Sequence, residues 1–432
     1  MSIVHASQGL YKKTPILKRK GRQTNGELTE GLRKVANFTI GGCEELTSSL
    51  KNEDRVLQHL ISLDRLVIEG NSSLLQKLGK EAEELLQLQI LTCKLKYLEL
   101  NKSASISKVP EGLNHLTALQ ELQIVGCSSL VSFPDVGLPP SLEVIRIDSL
   151  KSLVEKEEDS SSSSSSSHIS LEHLGIWECE SLTSLSLRAQ LFPKALKGLH
   201  ISDCIILCPN LKSLPEGVCH LTNLQTLEIY DCGSLVSIPS LSGEGLPLPT
   251  TTAASSLRQI KIENCNKLEM LPNMRNLNCL QELNTDYGEG LNFTSFPPNL
   301  TSLKIHRIKN CKPLWELLHR LTSLTELWVD GEYPYVVSFP PKGDTEMDME
   351  MLLPESLTHL SIGGFPNMKK LSSKGFQLLT SLQHLRLQNC PKLAYIPVEG
   401  LALSLSQFYI SGWVFFIYNC FKRDDHDLSC RW

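Results

Sequence analysis

Apolar residues recur along the chain in one fixed order. The order is clearest at Leu224-Gln-Thr-Leu227-Glu-Ile229-Tyr-Asp-Cys232-Gly-Ser-Leu235-Val-Ser-Ile238-Pro239. It returns at Leu257, Ile260, Ile262, Cys265, Leu268, Leu271 and Pro272, and at Leu382, Leu385, Leu387, Cys390, Leu393, Ile396 and Pro397. A fourth copy runs Leu119, Leu122, Ile124, Cys127, Leu130, Phe133 and Pro134. Weaker or interrupted copies start at Val35, Leu63, Leu95, Leu142, Leu171, Leu196, Leu280, Leu300, Leu324, Leu357 and Leu405. The fifteen starts lie on average about 26 residues apart, a spacing that belongs to stacked repeats.

In each copy the second Leu and the Ile stand two apart, so both point to one face of a short strand. One repeat buries a few aliphatic side chains at roughly 1.5–3 kcal/mol each. Ordering its backbone costs about 1–2 kcal/mol per residue, so a single repeat does not fold and neighbours must share a core. The Pro that closes Leu-x-x-Leu-Pro ends the apolar run and turns the chain outward. Every repeat returns to its start in the same direction, which makes the strands parallel. The pattern predicts an α/β repeat fold: a leucine-rich-repeat solenoid with one curved parallel β-sheet and a mostly irregular convex side. One helix is expected on that side, over 74–86, where Leu74, Leu75, Leu78, Ala82, Leu85 and Leu86 fall at helical spacing.

This period divides the chain into a basic N-terminal arm without regular structure over 1–34, a repeat domain of about 15 repeats over 35–412, and an apolar then charged tail over 413–432. In the tail Trp413-Val-Phe-Phe-Ile-Tyr418 is expected to cover the open end of the core. A membrane helix needs about 20 mainly apolar residues and polar residues interrupt this stretch, so a short membrane-associated tail is the lesser alternative. Insertions around 155–168 (five mostly acidic residues, then eight serines), 240–256 and 341–356 should be solvated loops on one side of the solenoid.

Charge is nearly balanced, with 42 basic and 47 acidic residues and a net charge of −5, which argues against a dedicated nucleic-acid binder. The opening residues lack the apolar core of a secretory signal. The chain is therefore expected to be cytoplasmic and not secreted, with Leu17-Lys-Arg-Lys-Gly-Arg22 resembling a nuclear address. Seven cysteines (Cys43, Cys127, Cys179, Cys204, Cys232, Cys265 and Cys390) occupy one register, eight residues after a repeat start. Side chains stacked in a row run parallel and do not converge on a metal, so these are expected to be small buried thiols.

Phosphate-binding loops, His-Glu-x-x-His, Gly-x-Ser-x-Gly and Cys-x-x-Cys are missing from the sequence, so no catalytic residues, cofactor or metal are expected. Recognition falls instead to the strand positions that flank the buried pair. The residues expected to bind protein on the concave face are Tyr97, Arg146, Trp177, His200, Glu228, Tyr230, Lys261, Lys304, Trp328, Arg386 and Tyr409. Aromatic rings among mixed charges have the composition of an interface, although aromatics also suit strands and stack across rungs. Glu99, His173, Glu263, His306, Glu326, Asp330, His359 and His384 accompany them.

Strands ending Ile-x-x-Cys, followed by x-x-Leu-x-x-Leu-Pro, resemble the C-terminal repeats of plant coiled-coil NB-LRR disease-resistance proteins. So do the phrases Val109-Pro-Glu-Gly-Leu-Asn-His-Leu-Thr117, Leu214-Pro-Glu-Gly-Val-Cys-His-Leu-Thr222 and Ile40-Gly-Gly-Cys-Glu-Glu-Leu-Thr47. The resemblance covers about residues 35–412. It implies a protein-recognition module that senses a pathogen effector or a guarded host protein, and repeats that restrain a nucleotide-driven switch. The family's nucleotide-binding and signalling domains have no counterpart here, so the chain is expected to be a fragment, a decoy or an adaptor that meets a nucleotide-binding domain on another chain. The alternative is an intracellular leucine-rich-repeat scaffold or adaptor, such as one serving a ubiquitin ligase, although those usually alternate strands with regular helices.

Overall fold

Each of the fifteen starts is followed two residues later by a strand in the computed structural model of the chain. The residues described are 3–6, 33–41, 62–69, 94–102, 113, 116–127, 138–148, 170–178, 195–202, 212–214, 218, 221–238, 256–268, 271, 274, 277–286, 296–308, 314, 317–331, 334–341, 353–397, 401 and 403–412. The helix expected over 74–86, the insertions 155–168 and 240–255, most of the third insertion, and the tail 413–432 lie outside them. The chain divides into two compact units, Met1–Leu211 and Lys212–Trp432.

The first unit carries β1 (Ile3–Ala6), β2 (Asn37–Gly41), β3 (Arg65–Glu69), β4 (Tyr97–Asn101), β5 (Glu121–Val125), β6 (Val144–Asp148), β7 (His173–Trp177) and β8 (Gly198–Ser202). Successive strands pair in parallel and in chain order. Strand β1 falls within the segment expected to be an irregular arm; it pairs Ile3 with Asn37 and Ala6 with Ile40. Register stacks Leu66, Leu98, Leu122, Ile145, Leu174 and Leu199 in one buried row, and Ile68, Leu100, Ile124, Ile147, Ile176 and Ile201 in the next.

The second unit contains β9 (Thr226–Tyr230), β10 (Gln259–Glu263), β11 (Glu282–Asp286), β12 (Ser302–Ile308), β13 (Glu326–Gly331), β14 (Ser338–Phe339), β15 (His359–Gly363), β16 (Lys370–Leu371), a five-residue helix α1 (Ser373–Gln377), β17 (His384–Gln388) and β18 (Gln407–Ser411). Its main sheet runs β9-β10-β11-β12-β13-β15-β17-β18, again all parallel. The helix is too short to show helical spacing in sequence; it is placed by the burial of Phe376. On β18 the core row thins out: Phe408 and Ile410 are only half-buried and Leu403 is fully exposed.

Local geometry explains why the phrase His-Leu-Thr-x-Leu precedes strands. Leu224 N–H donates to Leu221 O at 3.1 Å and Leu221 N–H to Val218 O at 3.2 Å, two consecutive three-residue turns. Leu277 and Leu280, and Leu379 and Leu382, repeat the device. Three residues per turn puts each of these leucines on the inner side, and all are buried.

The chain must leave the sheet after a strand, and after eight of the strands the next residue takes a positive φ to do so. Lys102, Gly126, Glu178, Asp231, Asn264, Gly364, Asn389 and Gly412 hold this position. Where Gly, Asn or Asp stands there, the left-handed turn is cheap. In six of the eight the turned N–H donates to the strand-end carbonyl of the next repeat, as Asp231 does to Glu263 at 2.9 Å and Asn389 to Ser411 at 3.0 Å, while Asn264 donates to the Asp286 carboxylate. After Gly126, Glu178, Asp231, Asn264 and Asn389 a cysteine follows at once. Cys127, Cys232, Cys265 and Cys390 are buried, and each thiol donates to the carbonyl two residues back (Val125, Tyr230, Glu263, Gln388) at 3.2–3.6 Å. A short polarisable thiol thus fills the turn while meeting its strand-end acceptor. Cys43, Cys179 and Cys204 lie outside the described residues.

The Leu-Pro ends also align, which the sequence does not announce. Strand β14 pairs with β16 in parallel, and single bridges join Ser213 to Ser237 and Lys370 to Tyr395. The segments before Pro215 and Pro239 thus pair with each other, and those before Pro340 and Pro397 each pair with Lys370–Leu371.

Candidate protein-recognition face

Alternation along each strand leaves one face to the core and one open. All eleven residues expected to bind protein stand on open positions of named strands; Arg146 and Tyr409 are exposed and the other nine half-buried. Cross-strand register decides which of them meet.

In the first unit, the Arg65 guanidinium stacks 3.8 Å over the Tyr97 ring and reaches Glu99 at 3.3 Å. The Tyr97 hydroxyl donates to the same Glu99 carboxylate at 2.8 Å. Burial first, and then this bond, push the phenol far above its ordinary pKa. Arg146 faces Glu121 at 3.5 Å. Trp177 does not stand out from the sheet. Its indole lies flat over Gly175, whose missing Cβ would sit 2.0 Å from the ring, and it meets the His200 imidazole at 4.9 Å. Arg65, Glu121 and Gly175 are absent from the residues singled out by sequence, although the alternation rule puts all three on this face.

In the second unit, one row runs Glu228, Lys261, Asn284, Lys304, Trp328, Ser361, Arg386 and Tyr409 across eight strands. Lys261 pairs with Glu228 at 2.9 Å, and Lys304 with Glu326 at 3.1 Å. Tyr230, half-buried beside Glu228 and Glu263, has its phenol pushed up to about 12, by burial first and then by those carboxylates. Burial works to raise the Glu326 carboxyl as well. The Ser302 hydroxyl (2.7 Å), the Lys304 ammonium and the Trp328 indole N–H (2.8 Å) outweigh it and hold the group below the usual carboxylate range. Trp328 receives Lys304 on its ring at 5.0 Å and the Arg386 guanidinium at 5.6 Å; Arg386 also lies 4.9 Å over Tyr409. The result is a cation–aromatic ladder bridging Ser361, a buried small residue.

This surface is made of side chains that pack against and hydrogen-bond to one another. Among the described residues no three His, Cys, Asp or Glu side chains converge as a metal site, and no helix is long and apolar enough to cross a membrane.

Repeat spacing, strand register and open face define a leucine-rich-repeat protein, a fold that is in general a scaffold for interactions. Its curated relatives include disease-resistance proteins of Arabidopsis thaliana that match roughly 70% of the chain. The Arabidopsis thaliana protein At3g14460, named for disease resistance, is 31% identical over 306 residues, covering 69% of this chain and 20% of the relative. Disease resistance protein RPS4B of the same plant is 23% identical over 312 residues, 71% of this chain and 21% of its own. The chain thus spans about a fifth of the length of these relatives. No family model matches. Among solved structures, TLR13 in a complex with ssRNA13 aligns with 89% of this chain and 58% of its own at 18% identity, with a TM-score of 0.49.

Proposed function

We propose that this chain is the recognition module of a plant disease-resistance receptor, and that its open strand face senses a protein, either a pathogen effector or a host protein under surveillance. The observation that carries the reading is that its relatives are disease-resistance proteins and the part they share with it is the repeat array. The aromatic and charged open face supports it, since Trp, Tyr and Arg dominate the energetics of protein interfaces. A nucleotide-binding domain on another chain is a second expected partner, and the cytoplasm, with access to the nucleus, is the expected compartment.

The test is a two-hybrid screen of the full chain against effector and host-protein libraries, followed by affinity measurements on each hit. Trp177→Ala and Trp328→Ala should each weaken a true partner by about tenfold or more, the range of interface hot spots, with an unchanged circular-dichroism spectrum. Hits whose affinity neither substitution alters would defeat the reading.

A further inference from the structure

We infer that the open face of β15, β17 and β18 takes an acidic peptide segment of a partner protein, with one carboxylate seated on Arg386 between Trp328 and Tyr409. This inference rests on the recognition reading above and names the partner's chemistry.

Cations elsewhere on this unit's sheet already have their acids. Lys261 has Glu228, Lys304 has Glu326, and Arg307 has Asp286. Arg386 has no carboxylate within ion-pair reach among the described residues. The open positions of β15, β17 and β18 are His359, Ser361, Gly363, His384, Arg386, Gln388, Gln407, Tyr409 and Ser411. Arg386 is the one fixed charge in that set, with two imidazoles beside it and no acid. On β13, Glu326 is engaged by Lys304, Ser302 and Trp328, and the Asp330 carboxylate lies against Gly363 and Gly364.

The guanidinium is also held ready. Trp328 and Tyr409 flank it at 5.6 and 4.9 Å, and the Gln388 amide, turned so that its oxygen faces the guanidinium, accepts from Nε at 2.7 Å and from one terminal nitrogen at 2.5 Å. Five N–H donors on a planar fork leave further donors for an incoming carboxylate. Ser361 and Gly363 are small and buried, so the strand between Trp328 and Arg386 offers a floor without bulk. The aromatic walls suit the apolar part of a peptide. A phosphate-rich strand, by contrast, is held by several cations in a row, and among the described residues of this sheet's open face only one is unpaired.

The experiment uses the full chain and synthetic 12-residue peptides that differ only in a central Asp or Glu against Asn or Gln, flanked by Leu and Phe, read by fluorescence anisotropy. Carboxylate peptides should bind about tenfold tighter than their amides, and the advantage should shrink as salt rises. Arg386→Gln should erase that preference, while Arg320→Gln, an exposed position outside the open face, should leave it. Arg386→Glu should reverse it in favour of a central Lys, a gain that misfolding does not produce. Peptides that bind without regard to the carboxylate, or whose preference survives Arg386→Gln, overturn the inference and leave face recognition standing. Failure of every peptide to bind, or tighter binding of a phosphopeptide or single-stranded RNA, overturns it as well; the protein screen then decides the recognition reading separately.

Discussion

The imidazoles of His359 and His384 lie face to face on neighbouring strands, 4.1 Å between centroids and 13° from parallel. Burial and the second ring lower the pKa of His359 below its ordinary 6.5, against a weaker upward pull from Glu326. The folded chain therefore binds fewer protons here than the unfolded one, and stability rises with pH. This contribution is complete above pH 6.5 and is lost as the pH falls below it. Urea unfolding from pH 8 to pH 5 should show the decline, and His359→Gln should flatten part of it. An identical pH slope in the variant would contradict the assignment.

Trp177 depends on a missing side chain. A Cβ on Gly175 would sit 2.0 Å from the indole, so Gly175→Ala should expel the ring from its seat and cost about 1–3 kcal/mol, as overpacking does. The double variant with Trp177→Ala should cost clearly less than the sum of the single changes. Additive costs would show that the indole does not rest there.

Two glycines of adjoining strands should respond differently to the same change. A Cβ at Gly331 would meet backbone atoms of Ile308 at 2.5 and 2.8 Å, which cannot swing aside, where the β12–β13 register shifts. At Gly363 the nearest atom is the Asp330 Oδ1 at 3.0 Å, the end of a side chain. Gly331→Ala should lower the melting temperature by several degrees, as a change of about 1–3 kcal/mol does, and Gly363→Ala by less. The reverse order would contradict the close backbone approach.

Thiol chemistry should follow the turn geometry. Cys279 is exposed, whereas Cys127, Cys232, Cys265 and Cys390 are buried. Burial also pushes the Cys390 thiol up, while a hydrogen bond with Cys232 draws that of Cys265 down. Alkylation of the folded protein, mapped by peptide mass spectrometry, should label Cys279 well before the four buried positions, because reaction needs an accessible thiolate. Early labelling of Cys390 would overturn the packing described.

Much of this was written in the order of residues. The Leu-x-x-Leu-x-Ile string located all fifteen repeat strands, because a two-residue alternation and a repeat period are one-dimensional facts. It also placed the open-face residues and four buried cysteines of the register, Cys127, Cys232, Cys265 and Cys390. The left-handed turn that ends a strand was legible only where Gly, Asn or Asp occupies it. Glu178 and Lys102 hide it, because the next repeat's carbonyl enforces the turn against their preference.

The sequence by itself determined the rungs and which face of each rung looks outward. The tertiary structure decided who meets whom across them. Arg386 finds Trp328 although 58 positions separate them in the chain, because irregular connections of unequal length are all brought back to one strand spacing. It also decided that Trp177 lies down over Gly175 instead of standing free. That outcome depends on an empty volume in three dimensions, which a string of residue types does not record.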